Sequence, residues 1–155
     1  MIEIGAQLPG FELPDQDGVQ HAASALGGQY LLLSFHPLAW TGVCQRQMKA
    51  LEFNKDRFAA LNTKAFGISV DASPSKKAWA ETMGVKETRL LSDFWPHGEL
   101  ASALGIFIQE KGISERANIV VDAEGIVRWV KGYPMPEVPD IEEIFEVLSG
   151  LDPTE

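Results

Sequence analysis

The chain is organised around residues 35–52, which read FHPLAWTGVCQRQMKALE. This stretch begins at the end of an apolar run, residues 30–35, and contains Pro37. Proline cannot continue a central strand because it has no N–H to donate. From Val43 onward, apolar residues recur about three and four apart, as they do on one face of a helix. The only cysteine of the chain, Cys44, is therefore predicted in the first turn of a helix that follows a buried strand.

This predicted position favours a reactive thiol at Cys44. A free cysteine has a pKa of about 8.5, and the unpaired N–H groups and partial positive charge of a helix N-terminus favour its thiolate. The alternative is an inert cysteine that packs as a small hydrophobic residue. Thr41 is a good N-cap whose hydroxyl can reach the same turn as the sulfur, and Pro37 stiffens the loop and shields one side of the thiol. This spacing at a strand-to-helix turn is hard to explain by packing alone.

Three residues of this array resemble the active-site motif of peroxiredoxins, the thiol peroxidases: Pro37, Thr41 and Cys44. Residues 35–44 (FHPLAWTGVC) and 91–98 (LSDFWPHG) are most similar to the AhpE-type one-cysteine branch. The resemblance extends from about residue 5 to residue 139. It implies a thioredoxin-like fold with the N-terminal additions typical of peroxiredoxins, and chemistry that needs no cofactor.

The resemblance also assigns a role to Arg116, just before a predicted strand at 118–121. The arginine at this place in peroxiredoxins points at the reactive cysteine, where a guanidinium stabilises thiolate and can hold peroxide oxygens. The alternative is a solvated charge at a strand end. Gln47 departs from the family, since most relatives have glutamate there, and residues 134–140 lack the second arginine that many relatives carry. Losing both charges together is coherent, but it leaves the orientation of Arg116 open.

The remaining candidates surround the predicted pocket. The backbone N–H groups of Val43 and Cys44 are expected to help bind the peroxide, and Pro37 to limit access. Trp40 stands where relatives usually have phenylalanine, and we expect it to form an apolar wall or a dimer contact. A hydrogen bond from His36 to the sulfur is possible, but an ordinary, partly buried histidine is the preferred interpretation.

The overall composition limits the classes of function. A chain of 155 residues suits one domain, predicted at 1–155, and contains no apolar run long enough to span a membrane. Its N-terminus does not look like a signal peptide, and one cysteine cannot form an internal disulfide, so we expect a cytoplasmic protein. The net charge of −9 argues against nucleic acid and anionic membranes as partners. Three scattered histidines and one cysteine predict no metal site.

The order of predicted elements indicates an α/β fold, with a central mixed sheet flanked by helices. Strands are predicted at residues 11–13, 19–21, 30–35, 65–70, 90–91, 118–121 and 126–131. Helices are predicted at residues 42–61, 73–84, 98–104 and 140–148. A thioredoxin-type oxidoreductase would carry Cys-x-x-Cys at the turn before the first long helix. The single cysteine here excludes dithiol exchange within the chain.

We therefore interpret the sequence as a peroxidase in which Cys44, Thr41 and Arg116 are catalytic. The thiolate would attack hydrogen peroxide, an organic hydroperoxide or peroxynitrite and become a sulfenic acid. An external low-molecular-weight thiol, or a glutaredoxin- or thioredoxin-like protein, would then reduce it, and a homodimer is expected. Two alternatives remain: a peroxide sensor that signals to a protein partner through oxidised Cys44, and a non-enzymatic scaffold or holdase in which Cys44 only packs.

Overall fold

A computed structural model describes residues 1–151, and its elements alternate as the sequence predicts. The strands are β1 Glu12–Pro14, β2 Gln20–Ala22, β3 Tyr30–Phe35, β4 Thr63–Ser69, β5 Arg89–Ser92, β6 Phe107–Ile108, β7 Ile113–Ser114, β8 Arg116–Val121 and β9 Val127–Tyr133. The helices are α1 Gly42–Phe53, α2 Lys55–Ala60, α3 Ser73–Met83, α4 Glu99–Ala103 and α5 Ile141–Gly150. Within residues 1–151, none of the helices has the length and apolar character that crossing a membrane requires.

Five strands form the central sheet in the order β5-β4-β3-β8-β9. β3 is parallel to β4 and antiparallel to β8, so the predicted mixed sheet is confirmed. β3 lies in the middle because it carries apolar residues on both faces, and all six of its residues, Ser34 included, are buried. Its carboxyl end delivers the chain directly to the loop that carries Pro37.

Two apolar cores cover the two faces of this sheet. Successive residues of β3 enter different cores, as the two-residue period of a strand requires: Leu31 and Leu33 pack in one, and Leu32 packs in the other. The Leu32 core contains side chains from α1, α2, α3 and α5, and it includes Cys44. The other core contains α4 and residues of the N-terminal segment. The candidate thiol therefore lies between α1 and the sheet.

The prediction of a single helix over residues 42–61 is wrong, because the structure has two helices there, divided at Asn54. The backbone of Asn54 leaves the helical region, with φ −101° and ψ 17°, and its side-chain amide donates to the carbonyl of Ala50 at 2.8 Å. An asparagine side chain competes in this way with the helical hydrogen bonds of the backbone. The chain continues as α2, which packs Phe58 into the core.

Other differences concern the ends of strands and one hairpin that the sequence did not reveal. Arg116 is the first residue of β8 rather than a residue before it, and β9 extends to Tyr133. β6 and β7 form a short antiparallel hairpin. Two-residue strands carry too little periodicity to be recognised from sequence.

Candidate active site

The loop between β3 and α1 sets the position of the thiol. Trp40 has φ +69°, a left-handed conformation that is unusual for a bulky residue, and it turns the chain into the helix. Thr41 follows as the N-cap with extended backbone angles, and its hydroxyl donates to the carbonyl of Leu38 at 2.9 Å. Cys44 is the third residue of α1 and is 1% exposed. The predicted first-turn position of the sulfur is confirmed.

Arg116 reaches the same sulfur from the central sheet. Its Nη1 lies 3.3 Å from Sγ of Cys44, and the arginine is almost fully buried. Its Nε and Nη2 both donate to the carbonyl of Met135, at 3.2 and 2.8 Å. The backbone beyond β9 thus holds one edge of the guanidinium while the other edge faces Cys44.

Gln47 provides the support for Arg116 that the sequence left open. Its Oε1 accepts from Nη1 of Arg116 at 2.6 Å. Its Nε2 donates to Oγ of Ser34 at 2.8 Å and to the carbonyl of Phe35 at 3.2 Å, so the amide bridges α1 and β3. A glutamine can make both contacts because it has a donor and an acceptor, whereas a carboxylate only accepts.

The electrostatic consequence is that Arg116 is a buried cation with one ionisable partner. Among the residues that the structure describes, its hydrogen-bond partners are Cys44, Gln47 and Met135, and only the thiol can become an anion. A buried charge is stable when it is paired with an opposite charge. The positive charge of Arg116 therefore lies beside the one hydrogen-bond partner of this guanidinium, in the described part of the chain, that can become an anion.

The other predicted site residues lie around this pair at different depths. Pro37 is buried, Val43 is partly buried and Thr41 is exposed. Trp40 is 53% exposed, and its indole N–H donates to Oγ of Ser75 on α3 at 3.1 Å. Its side chain is thus directed outward along α3.

A second polar cluster, which the sequence did not reveal, lies on the same side of the sheet. Lys76 of α3 is completely buried, and its ammonium donates to Oγ of Ser69 and lies 3.4 Å from Nε2 of His36. His36 is also fully buried, and it contacts this lysine rather than the sulfur. Lys76 lies three and four residues before Trp79 and Ala80, so all three share one face of α3. A lysine on this apolar face was the sequence signal that could have revealed the cluster.

Burial determines the ionisation of this cluster. It lowers the pKa of Lys76 to about 7, although the negative charges of Asp71 and Cys44 raise it. Burial, followed by the charge of Lys76, holds the pKa of His36 well below its ordinary value, so this ring is neutral near neutral pH. Lys76 is therefore a cation that gives up its proton near physiological pH.

Comparisons with known proteins place the chain in a family. The model of the AhpC/TSA family matches residues 4–130. Alkyl hydroperoxide reductase E of Mycobacterium tuberculosis is 38% identical over 152 residues, which cover 97% of this chain and 99% of that protein. A peroxiredoxin of Ignicoccus hospitalis is 32% identical, over 98% of this chain and 67% of its own. The crystal structure of Enterococcus faecalis AhpC has a TM-score of 0.90 at 24% identity, covering 97% of this chain and 93% of that one. The thioredoxin-like fold is thereby confirmed.

Proposed function

Because the chain belongs to the AhpC/TSA family and is a thiol-dependent peroxidase, we propose that Cys44 is its peroxidatic residue and that it acts by a one-cysteine mechanism. The contact between Nη1 of Arg116 and Sγ of Cys44, at the N-terminus of α1, carries this proposal. The contact combines a helix N-terminus with a cation whose only ionisable partner, within the described part of the chain, is the thiol. Both features favour the nucleophilic form of sulfur.

In the proposed reaction, the thiolate attacks the terminal oxygen of a hydroperoxide. The S–O bond forms as the O–O bond breaks, which leaves a sulfenic acid and, depending on the substrate, an alcohol, water or nitrite. Arg116, the hydroxyl of Thr41 and the N–H groups of Val43 and Cys44 stabilise the charge that moves onto the leaving oxygen. Pro37 limits entry of water and further oxidant. The substrate class is hydrogen peroxide, organic hydroperoxides or peroxynitrite.

An external thiol must complete the cycle, since the chain has no second cysteine. We propose that a low-molecular-weight thiol, or a glutaredoxin- or thioredoxin-like protein, forms a mixed disulfide with Cys44 and that a second thiol releases it. With one equivalent of peroxide and no reductant, intact-mass analysis should show the gain of one oxygen and no covalent dimer. Cys44 is 1% exposed, so two copies could not join their sulfurs without local unfolding.

Two other results of this experiment would change the proposal. A rapidly formed disulfide dimer would replace the one-cysteine mechanism with an intermolecular one. Oxidation of Cys44 without turnover in the presence of several thiol donors would favour a peroxide sensor instead. A Cys44→Ser variant, which should gain no oxygen, is the control that assigns the added oxygen to this sulfur.

We also propose a homodimer that forms through the loops beside the site. Trp40, Phe94 and Trp95 are 53%, 49% and 80% exposed. Asp71 links their two loops, because its carboxylate accepts from the N–H of Ala39 and its carbonyl accepts from Ser92. Large exposed apolar side chains in neighbouring loops are typical of interaction surfaces. Sedimentation at micromolar concentration should show a dimer that a Trp95→Ser substitution weakens, and a wild-type monomer would contradict this.

Two further proposals concern the cellular compartment and the domain organisation of the chain. The single cysteine fits a reducing compartment, and on that ground we propose that the enzyme works in the cytoplasm. We also propose that the chain forms one domain, because both apolar cores share the residues of one central sheet; of the predicted range 1–155, residues 152–155 lie outside the described residues.

A further inference from the structure

Lys76 is a buried cation without a carboxylate partner in the part of the chain that the structure describes. Its contacts are a hydroxyl, Oγ of Ser69, and the neutral ring of His36. Within residues 1–151, no carboxylate oxygen lies within 4.0 Å of its ammonium. A lysine that is fully buried in this way keeps its charge only if nearby anions compensate for the lost hydration.

Two anions act on this ammonium, and one of them is the reacting group. Asp71, which follows β4, and the thiolate of Cys44 on α1 both favour the charged lysine. The positive charge of Arg116, on β8, helps to lower the pKa of His36, the neighbour of Lys76. His36 is therefore neutral. The charged groups are therefore two buried cations, a thiolate and the partly buried Asp71.

Oxidation of Cys44 removes one of these anions. The thiolate carries a full negative charge, whereas a sulfenic acid is neutral. An arginine side chain does not lose its proton in proteins, so Lys76 is the one of the two buried cations that can respond to this change in charge. It can do so because it is buried and titrates near neutrality.

We propose that Lys76 compensates for the charge of Cys44, so that its protonation state depends on whether this sulfur is reduced or oxidised. Near pH 7, a larger fraction of Lys76 carries a proton while Cys44 is a thiolate than when Cys44 is a sulfenic acid, so oxidation of the sulfur releases protons from this amine. This release partly offsets the uptake of a proton by the leaving oxygen. This inference rests on the proposed peroxidase reaction and adds a regulatory element to the same site.

The atoms and charges balance over the cycle. The thiolate and ROOH give the sulfenic acid and RO⁻, which takes up one proton to become ROH, while Lys76 releases one proton and becomes a neutral amine. One external thiol then forms a mixed disulfide with loss of water, and a second thiol releases Cys44 as a thiol. That thiol passes its proton to Lys76, which restores the thiolate and the ammonium.

The hydrogen bonds of the cluster offer a path for this proton. The ammonium donates to Oγ of Ser69, which in turn donates to Oδ2 of Asp71 at 2.6 Å. Asp71 is partly exposed and also accepts from the N–H of Ala39 at 2.8 Å. The chain Lys76–Ser69–Asp71 thus connects a buried amine to the surface beside the active-site loop.

Proton uptake during a single turnover tests the inference. Reduced full-length protein is mixed with one equivalent of hydrogen peroxide in weak buffer with a pH indicator, and the thiolate fraction is measured beforehand by its ultraviolet absorbance. Without Lys76, each thiolate oxidised should take up one proton. We expect the wild-type protein to take up fewer protons than the number of thiolates oxidised near pH 7, by at most about half a proton per sulfur, with the shortfall vanishing by about pH 10, where Lys76 is neutral in both states.

Two variants test whether the shortfall in proton uptake comes from Lys76. Lys76→Met should take up one proton for every thiolate, and Lys77→Met, which removes an exposed charge next along α3, should behave like the wild type. Uptake equal to the thiolate fraction in the wild-type protein would overturn the proposal. So would a shortfall that persists in Lys76→Met, since the missing proton would then lie on the sulfenic acid.

The wild-type pH series decides the question even if Lys76→Met does not fold. Ionisation of the sulfenic acid would make the shortfall grow with pH, whereas a proton released by Lys76 makes it vanish. Intact mass separates this inference from the proposed function. If peroxide adds no oxygen to Cys44, the peroxidase proposal itself fails, whereas an added oxygen with full proton uptake rejects only the role of Lys76.

Discussion

Substitution of Arg116 by methionine is expected to slow the oxidation of Cys44 by peroxide by roughly a hundredfold or more. The reason is the 3.3 Å contact between the guanidinium and the sulfur, which supports the thiolate before attack and the leaving oxygen during it. Stopped-flow measurement of the single-turnover rate tests this. If the Arg116→Met variant reacts within a few-fold of the wild-type rate, the arginine only fills space.

Gln47 offers an independent test of the same contact. Gln47→Leu keeps the size of the side chain but removes the acceptor for Nη1 of Arg116, so it should lower the rate without removing the cation. Gln47→Glu restores an acceptor at this place and should retain more activity than the leucine variant. If Gln47→Leu reacts at the wild-type rate, the carbonyl of Met135 alone is enough to orient the guanidinium.

Thr41→Val should also lower the rate of peroxide reduction by roughly a hundredfold or more, whereas Thr41→Ser should retain most of it. The hydroxyl hydrogen is directed to the carbonyl of Leu38, which leaves the oxygen lone pairs to accept the O–H of a bound hydroperoxide. Serine keeps this hydroxyl, and valine keeps the shape without it. Peroxide dependence of the single-turnover rate measures the effect.

The comparison between the two Thr41 variants contains its own control. Both change the β-branched side chain at the N-cap, so a general disturbance of α1 would affect both. Alkylation of Cys44 by a small neutral reagent should remain similar in the two variants, because this reaction needs no bound peroxide. Equal rates of peroxide reduction in the valine and serine variants would reject a role for the hydroxyl.

Local patterns were enough to predict the central part of the fold. The apolar run at residues 30–35 predicted a buried strand, and the structure has β3 at those residues. The change to helical spacing after Thr41 predicted the start of α1 and the place of Cys44 within it. Such features depend on residues that are close in sequence, where periodicity and capping preferences act directly.

Local patterns failed where tertiary contacts or side-chain competition decide the conformation. The helical periodicity continued past Asn54, but the side chain of this residue ends α1. The left-handed backbone of Trp40 was also not evident, because a bulky residue in that conformation contradicts its own preference. The loop around it is held by a distant contact, between the N–H of Ala39 and the carboxylate of Asp71.

Local patterns in the sequence predicted that Cys44 lies in the first turn of a helix after a buried strand, and the resemblance to peroxiredoxins pointed to Arg116 as its cation. The packed structure was needed to show that a neutral Gln47 holds that cation and that Lys76 is buried, with the negative charge of Cys44 among the causes that raise its pKa. Separation along the chain explains this difference. Helix and strand signals arise between near neighbours, whereas Arg116 and Cys44 meet across 72 positions, and that contact exists only once the sheet and its helices have packed.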